Sequence, residues 1–178
     1  MGQKAAEGLL DKILSNSYGI KERAKRINFQ HNNNLGKLIV FEGVDGAGKS
    51  TSLDIAFNYL QSKGIITHKI DMLSPEFRNL SYHRYYADDH TRALKGGVDQ
   101  TSIGICALGD RLLRFRTIFH QKLIAGEWLV CDRYVLTPLS EALALGISDL
   151  DLEVLLHIAS LFTKPDIGFI ATIDAKQA

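Results

Sequence analysis

With 178 residues, 46% of them hydrophobic and 23% charged, the chain has the size of one domain with a substantial core and the composition of a folded globular protein. A formal charge of +1 argues against bulk electrostatic binding of nucleic acid or of a membrane surface. No stretch reaches the length of a transmembrane helix and the first residues lack a secretory apolar run, so a cytoplasmic location is expected, with an organelle-targeting N-terminus as the minor alternative.

Residues 1–35 read as an N-terminal extension, helical or mobile. Ala5, Leu9, Ile13 and Leu14 are spaced as one face of a short helix. Lys21, Arg23, Lys25 and Arg26 then form a basic cluster, and Gln30 to Asn34 is a polar run; a mobile extension or a helix packed on the domain surface is the expectation, with a targeting or partner-binding tail as the alternative. From Lys37 the rhythm becomes strand, helix, strand. Leu38 to Phe41 is continuously apolar, which suits a buried parallel strand. Ser50 to Lys63 carries Leu53, Phe57 and Leu60 at helical spacing and stops at Gly64, and Ile65 to Ile70 is a second strand ending at Asp71.

Pro75 and the Gly96-Gly97 pair break any long period in residues 72–100, where helical turns around Phe77 to Tyr86 are predicted. Thr101 to Ala125 reads as a long helix with Ile105, Leu108, Leu112, Phe115 and Phe119 on one side, closed by Gly126. Trp128 to Cys131 forms a third buried strand ending at Asp132. A helix from about Leu150 to Phe162 and a strand from Ile167 to Ile173 follow. Alternating β and α elements predict an α/β sandwich, a parallel sheet flanked by helices in three layers. Cys106 and Cys131, far apart in apolar surroundings, are expected to be two buried, reduced thiols.

The chemistry concentrates at the end of the first strand. Gly43 to Ser50 matches G-x-x-x-x-G-K-[ST] in full, between an apolar strand and a helix. Gly43, Gly46, Ala47 and Gly48 are small enough for backbone N–H groups to face inward, and the helix beginning near Ser50 and Thr51 adds its positive end, as a bound triphosphate requires. Lys49 would reach the β- and γ-phosphates, and the Ser50 hydroxyl would help hold Mg²⁺. In a parallel sheet reactive groups collect at the carboxyl ends of strands, where Asp45, Asp71 and Asp132 fall. Asp132 has the position of a metal-orienting carboxylate, and Arg133 offers a planar charge for a phosphate oxygen pair. An acid after a buried strand also serves often as a simple cap.

The stretch Gly36 to Thr51, Asp110-Arg111 on the long helix, Val130-Cys131-Asp132-Arg133-Tyr134 and Lys164-Pro165-Asp166 come in the order and spacing of thymidylate kinases, and residues 36–174 resemble that family. The resemblance implies a P-loop kinase fold and phosphoryl transfer from ATP to dTMP with Mg²⁺. By that likeness Asp45 would contact the acceptor sugar, Arg133 would hold the acceptor phosphate and Arg111 would reach the acceptor phosphate or base. Lys49, Asp132 and Arg133 would be the catalytic set, with Ser50 and Asp132 toward the metal. The family is typically dimeric through its long helices, which makes the Thr101–Phe119 face a candidate homodimer interface, an ordinary core face being the simpler account.

Departures fall on the acceptor side. Met72-Leu73-Ser74-Pro75-Glu76 stands where the family has Arg-Glu-Pro-Gly-Gly. Ala107 occupies the place of an aromatic that stacks on the base. Thr137-Pro138 and Glu141 replace a Ser-Ser pair and a tyrosine. Related kinases continue into an arginine-bearing lid, a further strand and a closing helix, so residues 36–178 read as a kinase domain lacking that lid and last strand. Two other readings stay open: a kinase with a different acceptor, and a nucleotide-binding protein with a regulatory role.

Overall fold

A computed structural model describes residues 25–172. Its sheet has four parallel strands, β1 (Leu38–Gly43), β2 (Thr67–Asp71), β3 (Trp128–Asp132) and β4 (Ile167–Ala171), in the order β2-β3-β1-β4. The strand period of two decides which side chains go to which face. Ile39 and Phe41 pack with Val130 against Leu53 and Leu60 of α1 (Lys49–Ser62), while Leu38 and Val40 enter the larger core on the other face. The expected three-layer α/β architecture is therefore present.

Between β2 and β3 the chain makes three short helices, α2 (Pro75–Arg78), α3 (Ser81–Asp88) and α4 (His90–Lys95), where turns around Phe77 to Tyr86 were expected. A continuous helical run follows: α5 (Gln100–Arg114), a π-helical turn over Phe115–Phe119 and α6 (His120–Ile124). Its buried stripe holds Ile103, Ala107, Leu108, Arg111, Phe115 and Phe119. Ile105 is exposed instead of buried, because helical rotation carries it away from a stripe centred on Ala107 and Arg111. Leu108, Phe115 and Phe119 belong to the main core, so much of the Thr101–Phe119 face is used inside the chain.

After β3 a helix absent from the sequence reading, α7 (Leu136–Ala144), precedes α8 (Asp149–Ala159). Its Pro138 sits in the first turn, where no intrahelical N–H bond is lost. Ser148 caps α8 by accepting from Asp151 N at 3.1 Å.

Residues 25–35 contain no helix, and they are tied to the domain by backbone bonds. Gln30 N donates to Phe162 O at 2.9 Å and Lys164 N to Gln30 O at 2.7 Å, while Ile27 enters the core. Residues 1–24, with the Ala5–Leu14 stripe, Lys21 and Arg23, and residues 173–178 lie outside the described residues. Cys131 is buried as expected, whereas Cys106 is exposed on the outer side of α5. Among the described residues no helix is long and apolar enough to cross a membrane.

Candidate active site

β1 runs straight into a glycine-dependent loop. At Gly43, φ is 134°, and a Cβ there would meet Ala171 O at 2.2 Å, so only glycine lets β1 end this close to β4. Gly48 is the N-cap of α1 in the left-handed region (φ 75°), as is Gly46 (φ 81°), and both look onto open space. The open space beside Gly46 and Gly48 lies at the start of α1, in whose first turn the leading N–H groups have no acceptor within the helix. Ser50 and Thr51 sit exposed on that turn.

Lys49 is the exception to the exposed loop: it is buried to 7% exposure. Its Nζ lies 3.7 Å from Asp45 Oδ1 and 3.9 Å from Asp132 Oδ1, ion-pair distances without a tight hydrogen bond. Asp132 closes β3, and its buried Oδ1 has no hydrogen-bond partner. Arg133 follows with φ 62°, uncommon for a residue with a Cβ. Its N–H donates to Phe41 O at 2.9 Å, and its guanidinium donates to the Asp45 carboxylate and, at 3.3 Å, to Thr137 Oγ1. The structure thus brings Asp45, Lys49, Asp132 and Arg133 together from three elements.

Glu42 was not singled out from sequence, yet it is buried beneath this group at 5% exposure. Its Oε1 accepts from Tyr134 N at 2.8 Å and Leu136 N at 3.0 Å, and its Oε2 from Thr137 Oγ1 at 2.7 Å. The available signal was a carboxylate at the strand position in phase with the buried Leu38 and Val40. A charge placed there demands partners.

Arg111 projects from α5 and is 5% exposed. One terminal nitrogen donates to Ala107 O at 3.2 Å, and the buried Nε has no partner. Burial pushes its pKa down, opposed by the carboxylates of Glu141 and Glu42. Glu141 on α7 shows the complementary effect: burial raises its pKa, and Arg111, His90 and Arg133 oppose the rise. Arg111 therefore shares an electrostatic neighbourhood with Glu141 and Arg133.

Asp71 does not join the loop. Its carboxylate accepts from Leu73 N at 3.1 Å and pairs with Arg78 at 2.5 Å, which makes it an organiser of the turn after β2. The Met72–Glu76 segment is fastened to α5 by Asp110, which accepts from Ser74 N at 2.7 Å and Ser74 Oγ at 2.5 Å. Ala107 packs beneath this segment, against Leu73 and Phe77.

The family model for thymidylate kinase matches residues 41–178. Among curated proteins the chain is similar to a thymidylate kinase of Desulfotalea psychrophila, 34% identical over 145 residues, covering 82% of this chain and 67% of the relative. A probable thymidylate kinase of Thermococcus kodakarensis is 27% identical over 143 residues, covering 79% and 68%. The chain thus spans about two thirds of the length of these relatives. In fold it is similar to the thymidylate kinase of Ehrlichia chaffeensis (TM-score 0.54, 20% identity, 80% of this chain and 79% of that one). It is likewise similar to that of Candida albicans (TM-score 0.57, 18% identity, 80% and 65%).

Proposed function

The chain belongs to the thymidylate kinase family, and on that premise we propose that it transfers the γ-phosphoryl group of ATP to the phosphate of a nucleoside monophosphate, of which dTMP is the type. The observation that carries this reading is the buried Lys49, held between Asp45 and Asp132 at the mouth of a complete phosphate loop and beside Arg133. In the transfer, a phosphate oxygen of the acceptor bonds to the γ-phosphorus as the bond to the β–γ bridging oxygen breaks. ADP leaves and a nucleoside diphosphate forms. Such a reaction asks a protein for positioning and charge neutralisation.

Gly43, Gly46, Ala47, Gly48, Ser50 and Thr51 would cradle the ATP phosphates with backbone N–H groups, and the space open around Gly46 and Gly48 fits that use. Lys49 would neutralise the β- and γ-phosphates. Mg²⁺ fits the oxygen donors present, since Ser50 offers a hydroxyl and Asp132 an oxygen with no hydrogen-bond partner. Bound there, it supplies charge neutralisation across the phosphates. Among the described residues no cluster of three His, Cys, Asp or Glu could hold a metal ion alone, so nucleotide phosphates would complete the shell.

Arg133 would exchange its contact with Asp45 for the acceptor phosphate, releasing the Asp45 carboxylate to accept from a sugar hydroxyl. Arg111, with a free buried Nε, would donate to the acceptor. A second reading, the same donor chemistry on a different acceptor, is favoured by Ala107, whose methyl is enclosed by Leu73 and Phe77 and offers no ring for a base. Incubation with ATP, Mg²⁺ and a panel of nucleoside monophosphates, nucleosides and sugar phosphates tests both. A nucleoside diphosphate is the expected product, and turnover confined to nucleosides or sugar phosphates supports the second reading.

A further inference from the structure

Glu42 holds no position in the chemistry just described, yet it is the most heavily bonded carboxylate near it. It stands at the end of β1 on the core side of the sheet, 5% exposed, and accepts three hydrogen bonds from a single turn. Two come from the backbone of Tyr134 and Leu136, which bracket the start of α7. The third comes from the Thr137 hydroxyl, and its direction has a consequence. A hydroxyl has one hydrogen, so Thr137 must spend it on Glu42 Oε2, which turns its lone pairs toward Arg133, whose guanidinium donates to Thr137 at 3.3 Å. A line of contacts therefore runs Glu42, Thr137, Arg133, Asp45, from the buried end of β1 to the mouth of the phosphate loop.

Arg133 needs such support. Its backbone sits at φ 62°, where a side chain is disfavoured, and the bond from its N–H to Phe41 O fixes only one end of the turn. We propose that Glu42 is a positioning residue for acceptor binding: through the Tyr134–Thr137 turn and the Thr137 hydroxyl it sets where the Arg133 guanidinium lies. The proposal rests on the reading of Arg133 as the acceptor-phosphate group, and it adds that Glu42 tunes the acceptor side of the reaction and leaves the ATP side alone. An uncharged side chain that filled the same space would keep the fold and lose the aim.

The test uses the full chain with dTMP as probe. Glu42→Gln keeps an oxygen for the two backbone donors and replaces the Thr137 acceptor with a donor; Thr137→Val removes the relay alone. Each is expected to raise KM for dTMP about tenfold, the equivalent of ~1.4 kcal/mol, with KM for ATP unchanged within about twofold. The double variant should be no worse than the poorer single, because both cut one line, and Thr137→Ser should restore wild-type behaviour. Unchanged kinetics, parallel rises in both KM values, or multiplied effects in the double variant would overturn the proposal. Amide exchange at Tyr134 and Leu136 gives a readout independent of turnover. Exchange should be slow in wild type and Glu42→Gln and at least tenfold faster in Glu42→Ala; equal rates in wild type and Glu42→Ala would refute the hold on the turn. If the wild-type chain forms no nucleoside diphosphate from any monophosphate, the kinase reading fails and the exchange rates still decide whether Glu42 holds the turn.

Discussion

Lys49 Nζ stands 3.9 Å from Asp132 Oδ1, so the first residue of α1 meets the last residue of β3 at the mouth of the sheet. At that distance the two charges attract without a hydrogen bond, and each keeps its directional bonding capacity. A buried carboxylate oxygen with no hydrogen-bond partner, set beside a lysine that is only 7% exposed, is costly. Such an arrangement makes physical sense where a phosphate and a cation complete both shells.

Asp132→Asn keeps the volume and removes the charge. Turnover should fall by about a hundredfold, a loss typical of one preorganised electrostatic group, while nucleotide affinity changes far less. The Mg²⁺ activation curve should move to higher concentration. An Mg²⁺ titration of wild type and variant side by side checks this, and superimposable curves would reduce Asp132 to a strand-end cap.

Asp166 ties three pieces of chain together. Its carboxylate accepts from Leu38 N at 2.9 Å, Asn32 Nδ2 at 2.6 Å and Lys37 Nζ at 3.0 Å. Burial pushes its pKa up, but these bonds together outweigh it and leave the group below the ordinary aspartate range. A depressed carboxylate contributes stability that is present above its unfolded pKa and lost as pH falls through the folded one. Asp166→Asn should therefore cost about 1–3 kcal/mol at neutral pH and make acid unfolding less steep below about pH 4. Urea melts at neutral pH and at about pH 3 measure both effects; an equal cost at the two pH values would contradict the linkage.

The loop motif was legible because it is consecutive: eight neighbouring residues carry it, with Gly43 and Gly48 at positive φ and Lys49 opening α1. The two central strands, β1 and β3, were legible for a similar reason, since strands buried on both faces are short apolar runs. Structure held by side chains distant in sequence was not. Glu42 and Thr137 are 95 residues apart and look unremarkable singly. α7 also went unread; it carries Pro138 in its first turn, the place where proline costs a helix no hydrogen bond. The docking of residues 25–35 combines backbone bonds at Gln30 with long-range side-chain contacts of Arg26, Gln30 and Asn32 to Glu153, Ser160 and Asp166, partners that lie more than a hundred residues away in sequence.

Acceptor choice should reflect the altered segment over α5. With Ala107 enclosed by Leu73 and Phe77, no ring on α5 is available to stack on a base at that point, and a stacking contact contributes on the order of 1 kcal/mol beyond burial. Discrimination among nucleoside monophosphates should therefore be shallow, with kcat/KM for dTMP exceeding that for other acceptors by no more than about tenfold. A competition assay with mixed monophosphates measures the ratio. A strong preference for dTMP would mean that other contacts read the base fully.

The central claim, that the loop around Lys49 drives phosphoryl transfer, is tested most directly by following nucleoside diphosphate formation from ATP and a nucleoside monophosphate in wild type and Lys49→Ala. Thermal unfolding is recorded on the same preparations. The account predicts Mg²⁺-dependent turnover in wild type and a loss of at least about a thousandfold in a variant that still unfolds cooperatively. A folded Lys49→Ala variant that turns over at the wild-type rate would contradict it.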